Sequence, residues 1–271
     1  MGRSFKDSHD SRRGERAAFS SEEPPEGVVF GRNAVRELLK SGREIDKIFI
    51  RRGDSEGSIS VIAAEAAGRG IPIVYVEREK LDRMCAGGVH QGVAAVAAEK
   101  EYCTVEDILK IAAERGEPPV IVILDGVEDP HNLGAVIRSA ECAGCHGVVI
   151  PKRRTAGLTA VAAKASAGAL EHIAVAREVN LAQAVDRLKA AGVWVYAAEA
   201  GGECVWDVDL DRPCAFIFGG EGTGVSRLLK EKSDYVVSLP LAGKINSLNV
   251  SAAAAVFLFE RVRRKTRAPG G

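Results

Sequence analysis

The chain has 271 residues, 46% hydrophobic and 27% charged, enough apolar material for one large folded unit or two modest ones. Lys plus Arg and Asp plus Glu each total 37, so overall charge points to no polyanion partner, and any nucleic-acid surface must be a local patch. No secretory-type apolar segment opens the chain and the apolar run 252–259 is far too short for a bilayer, which predicts a soluble cytoplasmic protein without membrane contact.

Residues 1–26 are rich in Ser, Arg, Glu, Asp and Pro without periodicity and predict a disordered tail. Folding begins near "VVFGRNAVRELLKSG", where Val35, Leu38 and Leu39 form a helical stripe and Gly42 a C-cap. The strands "KIFIRR", "IPIVYVE" and "HQGVAAVAAE" alternate with the helices "SISVIAAEAAGRG" and "REKLDRMCAGG". This αβαβαβ run predicts a small domain over 27–99, and 100–117 reads as a helical linker. A second alternation fills 118–267. It opens on "PPVIVILDG", whose unbroken apolar run suits a parallel strand covered on both faces, and ends on the long helix of "SLNVSAAAAVFLFERVRRK".

Residues 142–146, "CAGCH", match the C-x-x-C-H pattern of covalent haem attachment. Such attachment calls for an exported protein, and only Met1 and Met84 could supply a distal thioether. The six cysteines contain no second C-x-x-C to complete a zinc site. The pattern therefore reads as a helix-to-strand turn, with Gly144 ending the helix and the thiols serving as small apolar groups. No haem and no metal are expected.

Ligands of open α/β sheets bind beyond the carboxyl ends of the strands, which singles out three loops. In "DGVEDPHNLGAVIRSAE", Asn132 stands at a helix start, as a cap or as a functional group, and His131 reads as a solvated loop residue. Arg138 lies in an apolar stretch, where a buried guanidinium would need an anion. "FIFGGEGTGVSRLL" sets four glycines around Glu221 but lacks the lysine of a Walker A loop. "SLPLAGKINSLNVSAAAA" puts Ser247 and Asn249 at the head of a helix of small residues, where either could cap.

Together the loops resemble the SpoU (TrmH-type) family of RNA ribose 2′-O-methyltransferases. The likeness rests on Asn132, Gly134 and Arg138, on Gly219, Glu221 and Gly222, and on the "SLNVS" that begins at Ser247. "FGRNAVRELL" and "HQGVAAVAA" are similar to the ends of that family's substrate-binding domain, so the likeness spans about 28–265. It is strongest to members that methylate a guanosine ribose in the peptidyl-transferase loop of 23S rRNA. Leu239 and Gly220 depart mildly from the family's usual residues.

The resemblance implies an α/β fold: an L30e-like RNA-binding domain followed by a parallel-sheet methyltransferase domain with a deep trefoil knot. It implies S-adenosylmethionine as cofactor, held by Gly219, Gly220, Leu239, Gly243 and Leu248. Arg138 would be catalytic with Asn132, Glu221, Ser247 and Asn249, Glu221 orienting the guanidinium and the other three fixing the ribose. A homodimer with its active site at the subunit interface is also implied. RNA would be met by Arg32, Arg36, Arg51, Arg52, Lys152, Arg153 and Arg154 and by the basic end 261–267, each of which is otherwise a solvated charge. A tRNA ribose methyltransferase and a non-catalytic ribosome-assembly protein stay open as alternatives.

Overall fold

Two runs of short β-rich segments separated by helical stripes build two separate sheets in the computed structural model, which describes residues 24–267. The tail expected over 1–26 lies outside these residues but for its last three.

The first sheet comes from β1 (Val28–Phe30), α1 (Arg32–Ser41), β2 (Ile45–Arg51), α2 (Ser58–Gly68), β3 (Ile73–Val76), α3 (Arg78–Met84) and β4 (Val93–Ala97). Its order is β1-β4-β2-β3, with β2 and β3 parallel and β4 antiparallel to both its neighbours. The αβαβαβ reading thus lacked a leading strand. Three residues are too few to show a period, and β1 becomes a strand only by pairing with β4, Val29 opposite Ala95. The expected stripe of Val35, Leu38 and Leu39 is fully buried, and Gly42 ends α1 at φ 77°.

The second sheet comes from α4 (Val105–Arg115), β5 (Val120–Asp125), α5 (Pro130–Cys142), β6 (Gly147–Pro151), α6 (Ala160–Ala165), a 3-10 turn (Ala169–Glu171), β7 (Ala174–Glu178), α7 (Leu181–Ala190), β8 (Trp194–Cys204), β9 (Cys214–Gly219), α8 (Arg227–Lys232), β10 (Tyr235–Ser238) and α9 (Val250–Arg267). Its six strands run in the order β10-β8-β9-β5-β6-β7, every neighbouring pair parallel. Successive residues of β5 serve opposite faces. Val120, Val122 and Leu124 meet α5 and α9, whereas Ile121 and Ile123 meet α4 and α7, which is why that strand carries no polar alternation. The stretch 100–117 supplies α4, whose Val105 and Ile108 are fully buried against this second sheet.

The CAGCH pentapeptide sits where expected. Cys142 ends α5, Gly144 turns the chain at φ 71°, and Cys145 is buried in the core. Burial holds the Cys145 thiol above its ordinary pKa and raises that of Cys214 to about 11. His146 is equally committed, its Nδ1 accepting from the Val120 amide at 3.0 Å and its Nε2 lying 3.2 Å from Glu117. Cys145 and His146 are thus packed into the fold, whereas Cys142 is exposed and does not serve as the small apolar group expected of it.

Helix α9 is fixed at both ends, and its foot is electrostatic. Glu260 accepts from Arg263 and Arg264, and Arg264 also donates to the carbonyls of Val205, Trp206 and Val208. Arg261 is buried beside Cys214. The basic end proposed for RNA is therefore, at these three arginines, part of the fold's own wiring.

The hydrogen bond from Arg263 leads in lowering the Glu260 carboxyl to about 2; burial opposes it and Arg264 adds to it. A depressed carboxyl stabilises the fold above its unfolded value of 4.5, and that contribution is lost as pH falls towards 2. Glu260→Gln should therefore lower unfolding free energy at pH 7 by about 2 kcal/mol, a figure discounted for the half-exposed Arg263. Urea denaturation at several pH values should show the gap closing between about pH 5 and pH 2.

Candidate functional site

At the carboxyl edge of the second sheet, three loops leave β5, β9 and β10 and converge. The first leads into α5, whose N-cap is Asp129: its Oδ1 accepts from the His131 amide at 2.8 Å, and Pro130 takes the first helical position. Asn132 is therefore not the cap. It lies inside the first turn, buried, with its side chain free to reach sideways.

What it reaches is Glu221. Asn132 Nδ2 donates to Glu221 Oε1 at 2.9 Å, and Asn249 Nδ2 donates to that same oxygen at 3.0 Å and to Asn132 Oδ1 at 2.9 Å. Asn249 also caps α9, its Oδ1 accepting from the amide and hydroxyl of Ser251 at 2.9 and 2.6 Å. One carboxylate oxygen and two amides thus tie the three loops into a closed clasp. Asn249 thus caps α9 with its oxygen and joins the clasp with its nitrogen.

The middle loop is held from beneath by two acids that sequence reading missed. Asp125, the last residue of β5, accepts from the Ser226 amide at 2.8 Å through Oδ2, and its carbonyl accepts from Gly220 at 2.8 Å. Glu199 on β8 accepts from the Val225 amide at 2.9 Å. A Cβ on Gly219 would lie 2.0 Å from the Gly224 carbonyl carbon, and one on Gly220 2.1 Å from the Gly126 oxygen. These two glycines are thus required by the folding of the loops on one another, which also accounts for the departure at Gly220. Asp125 and Glu199 carried no motif; only their place on strands beside the glycine loop could have pointed to them.

One expectation fails. Arg138 is exposed rather than buried, and it makes no hydrogen bond or ion pair among the described residues. Six residues beyond Asn132 is about 9 Å along the helix and some 240° around it, so the two side chains leave α5 in different directions. Within the chain, Glu221 accepts from the two asparagines and makes no hydrogen bond with the Arg138 guanidinium.

Beyond the clasp, residues 241–249 are exposed and without regular secondary structure, Gly243 and Ser247 among them. Leu241, Ile245 and Leu248 present apolar side chains to solvent there, and Leu239 is partly buried against the core. Such a strip of apolar groups beside open backbone can bind a flat heteroaromatic group and an aliphatic chain. Of the proposed RNA contacts, Lys152, Arg153 and Arg154 are exposed. Arg52 is exposed beside Glu77 and Arg36 is half-buried. Arg51 pairs with Asp54 and Arg32 Nε donates to the Gln91 carbonyl at 3.0 Å. No helix of the described residues is long and apolar enough to cross a membrane.

Both sheet-bearing units match known family models. Residues 119–259 match the model of the SpoU rRNA Methylase family, and residues 28–103 match that of RNA 2′-O ribose methyltransferase substrate binding. The chain is 46% identical over 238 residues to a Bacillus subtilis (strain 168) protein named as a TrmH family tRNA/rRNA methyltransferase, covering 88% of this chain and 95% of that one. A solved AdoMet-bound rRNA methyltransferase from Sinorhizobium meliloti superposes with a TM-score of 0.72 at 26% identity, covering 88% of this chain and 87% of that one. The methyltransferase AviRb from Streptomyces viridochromogenes shares the fold, with a TM-score of 0.73 at 23% identity over 89% and 90% of the two chains.

If the clasp acts as a unit, Asn132→Ala and Asn249→Ala should each lower unfolding free energy by about 1–2 kcal/mol. The double variant should lose less than the sum, because both substitutions release the same Glu221 oxygen. Urea denaturation of the four proteins measures this, and strict additivity would dissolve the unit.

Proposed function

The chain belongs to the SpoU rRNA methylase family of RNA methyltransferases, and from that premise we propose that it moves a methyl group from S-adenosylmethionine to a ribose 2′-hydroxyl of RNA, a guanosine of 23S rRNA. The clasp of Asn132, Glu221 and Asn249 carries this reading, because it brings all three family motifs to one place. Residues 27–99 capture RNA and residues 118–267 perform the transfer, with 100–117 between them.

The cofactor's fit rests on the apolar strip and the exposed backbone at the clasp. Gly219, Gly220, Leu239, Gly243 and Leu248 would hold it, and it supplies a methyl group on a positively charged sulfur. The return of β10 beside β8, after β9 has been laid on the inner side of β8, supports the trefoil knot as the frame for these loops.

The protein's task is to position the ribose hydroxyl and to accommodate its proton. Asn132 and Asn249 spend their amides on Glu221, so they act as positioning residues. Ribose contact then falls to Ser247 and to Glu221 Oε2, the oxygen outside the clasp. Arg138 points away from its own clasp, which supports a homodimer in which it serves a site at the subunit interface. Arg138 would bridge an RNA phosphate and the developing alkoxide with its planar fork of donors, the proton passing to phosphate or water.

Titration calorimetry should show S-adenosylmethionine binding, and tritiated methyl should reach a ribose hydroxyl. Mapping 2′-O-methyl sites in RNA from cells lacking the protein then names the nucleotide, and it separates 23S rRNA from tRNA, which the relatives' name also covers. Methyl reaching no RNA would leave a non-catalytic RNA-binding protein. Arg138→Lys should be nearly as inactive as Arg138→Ala with cofactor affinity little changed, because lysine keeps the charge and loses the planar fork. An active Arg138→Lys whose pH–rate profile gains a limb from the new lysine would make the residue a base instead.

A further inference from the structure

A cavity of about 520 Å³ opens on the first sheet's unit, away from the clasp, between the head of α1, the end of β2, α3 and the turn before β4. Arg32, Arg51 and Arg78 line it, with Asp54, Asp82 and His90. Its volume is that of a site for one small ligand rather than a groove for a helix.

The charges are set in a definite pattern. Each arginine is steered by one edge of its guanidinium: Arg32 Nε to the Gln91 carbonyl at 3.0 Å, Arg51 Nη2 to Asp54 at 2.6 Å, Arg78 Nε against Asp82 at 3.5 Å. Asp54 is engaged through Oδ1 alone, its Oδ2 being buried without a hydrogen-bond partner, whereas Asp82 faces both Arg78 and His90 Nε2, the latter at 3.1 Å. His90 Nδ1 accepts from the Gly92 amide at 3.0 Å, which puts the ring proton on Nε2, towards Asp82. The remaining guanidinium donors of three arginines face one concavity, the arrangement that binds a phosphate in forked fashion.

The wall is preorganised. In the turn 86–92 two non-glycine residues, Ala86 at φ 46° and Gln91 at φ 56°, adopt the left-handed conformation, a strain that persists only where the surroundings enforce it. A Cβ on Gly88 would lie 2.8 Å from the Phe30 ring, so the turn lies flat on that aromatic group. Gln91 Oε1 accepts from the Arg32 amide at 3.0 Å and from Lys164 Nζ of α6 at 3.3 Å, tying this wall to the second sheet's unit. At the tip, Val89 is 73% exposed, an apolar contact for the face of a base.

We propose that this cavity takes one unstacked nucleotide of single-stranded RNA, its phosphate on Arg32, Arg51 and Arg78 and its base against Val89. The proposal rests on the reading above that RNA is the substrate, and it adds Arg78 to the RNA-binding set. Nucleotides splayed out of loops and bulges present a phosphate and a free base face together, which a duplex does not.

The test is fluorescence anisotropy of the full chain, without S-adenosylmethionine, on a labelled twelve-nucleotide single-stranded RNA and on the duplex made with its complement. Wild type should bind the single strand more tightly. Arg78→Gln, an exposed position checked for folding by circular dichroism, should weaken single-strand binding about tenfold, the loss of a charge-assisted phosphate contact, and leave the duplex nearly unchanged. Arg52→Gln, outside the cavity, should weaken both probes alike. Equal loss on both probes in Arg78→Gln, no loss on either, or no RNA binding by wild type overturns the cavity. Methyl transfer is read separately, so a chain that captures single strands and transfers no methyl would keep the cavity and lose the reaction.

Discussion

One carboxylate oxygen, Glu221 Oε1, accepts two amide N–H donors from two different loops while sitting on a third. The candidate site depends on that convergence. The segment 239–249 has no helix or strand of its own, and Asn249 at its end is what ties it to the other two loops. The bonds close a ring in which Asn132 offers both ends of its amide and Asn249 uses its nitrogen on the clasp and its oxygen on α9. A ring of this kind rigidifies because no member can leave without stranding another.

The clasp in turn is only as well placed as the elements that carry it. Asp125 and Glu199 fasten the glycine loop to β5 and β8 through backbone amides, so Glu221 projects from a braced turn. Gly134 lets α5, which carries Asn132, approach α6 so closely that a Cβ there would lie 2.4 Å from the Ala162 carbonyl oxygen. Glu260 and Arg264 hold the far end of α9, eleven or more residues from the asparagine at its head. The same logic extends to the first unit, whose cavity wall is bonded through Gln91 to Lys164 on α6.

Much of this was legible in the residues. The double-sided apolar run of β5 announced a parallel strand buried on both faces, and the three motifs named the members of the clasp before their contacts were known. What the residues did not show was who touches whom. Asn132 and Glu221 are 89 positions apart and Asn132 and Asn249 are 117 apart, so their bonding follows from strand order, which periodicity does not encode. Asn132 looked like a cap because Asp129, the actual cap, stands three residues earlier in an acidic turn with Pro130 next to it. Arg138 looked buried because its neighbours are apolar, yet at an exposed helical position it points to solvent. Asp125, Glu199 and Arg78 were overlooked because single acids and bases in strands and short helices carry no pattern.

If the clasp holds the three loops together, a cofactor bound at one of them must order the others. Hydrogen exchange of the backbone amides, with and without S-adenosylmethionine, in wild type and in Glu221→Ala tests it most directly. In wild type the cofactor should protect residues 219–226 and 239–249 together, and in Glu221→Ala both segments should lose that protection together. Full protection of 239–249 that survives the loss of Glu221, or protection appearing at neither segment, would mean that the clasp does not join the loops into one site.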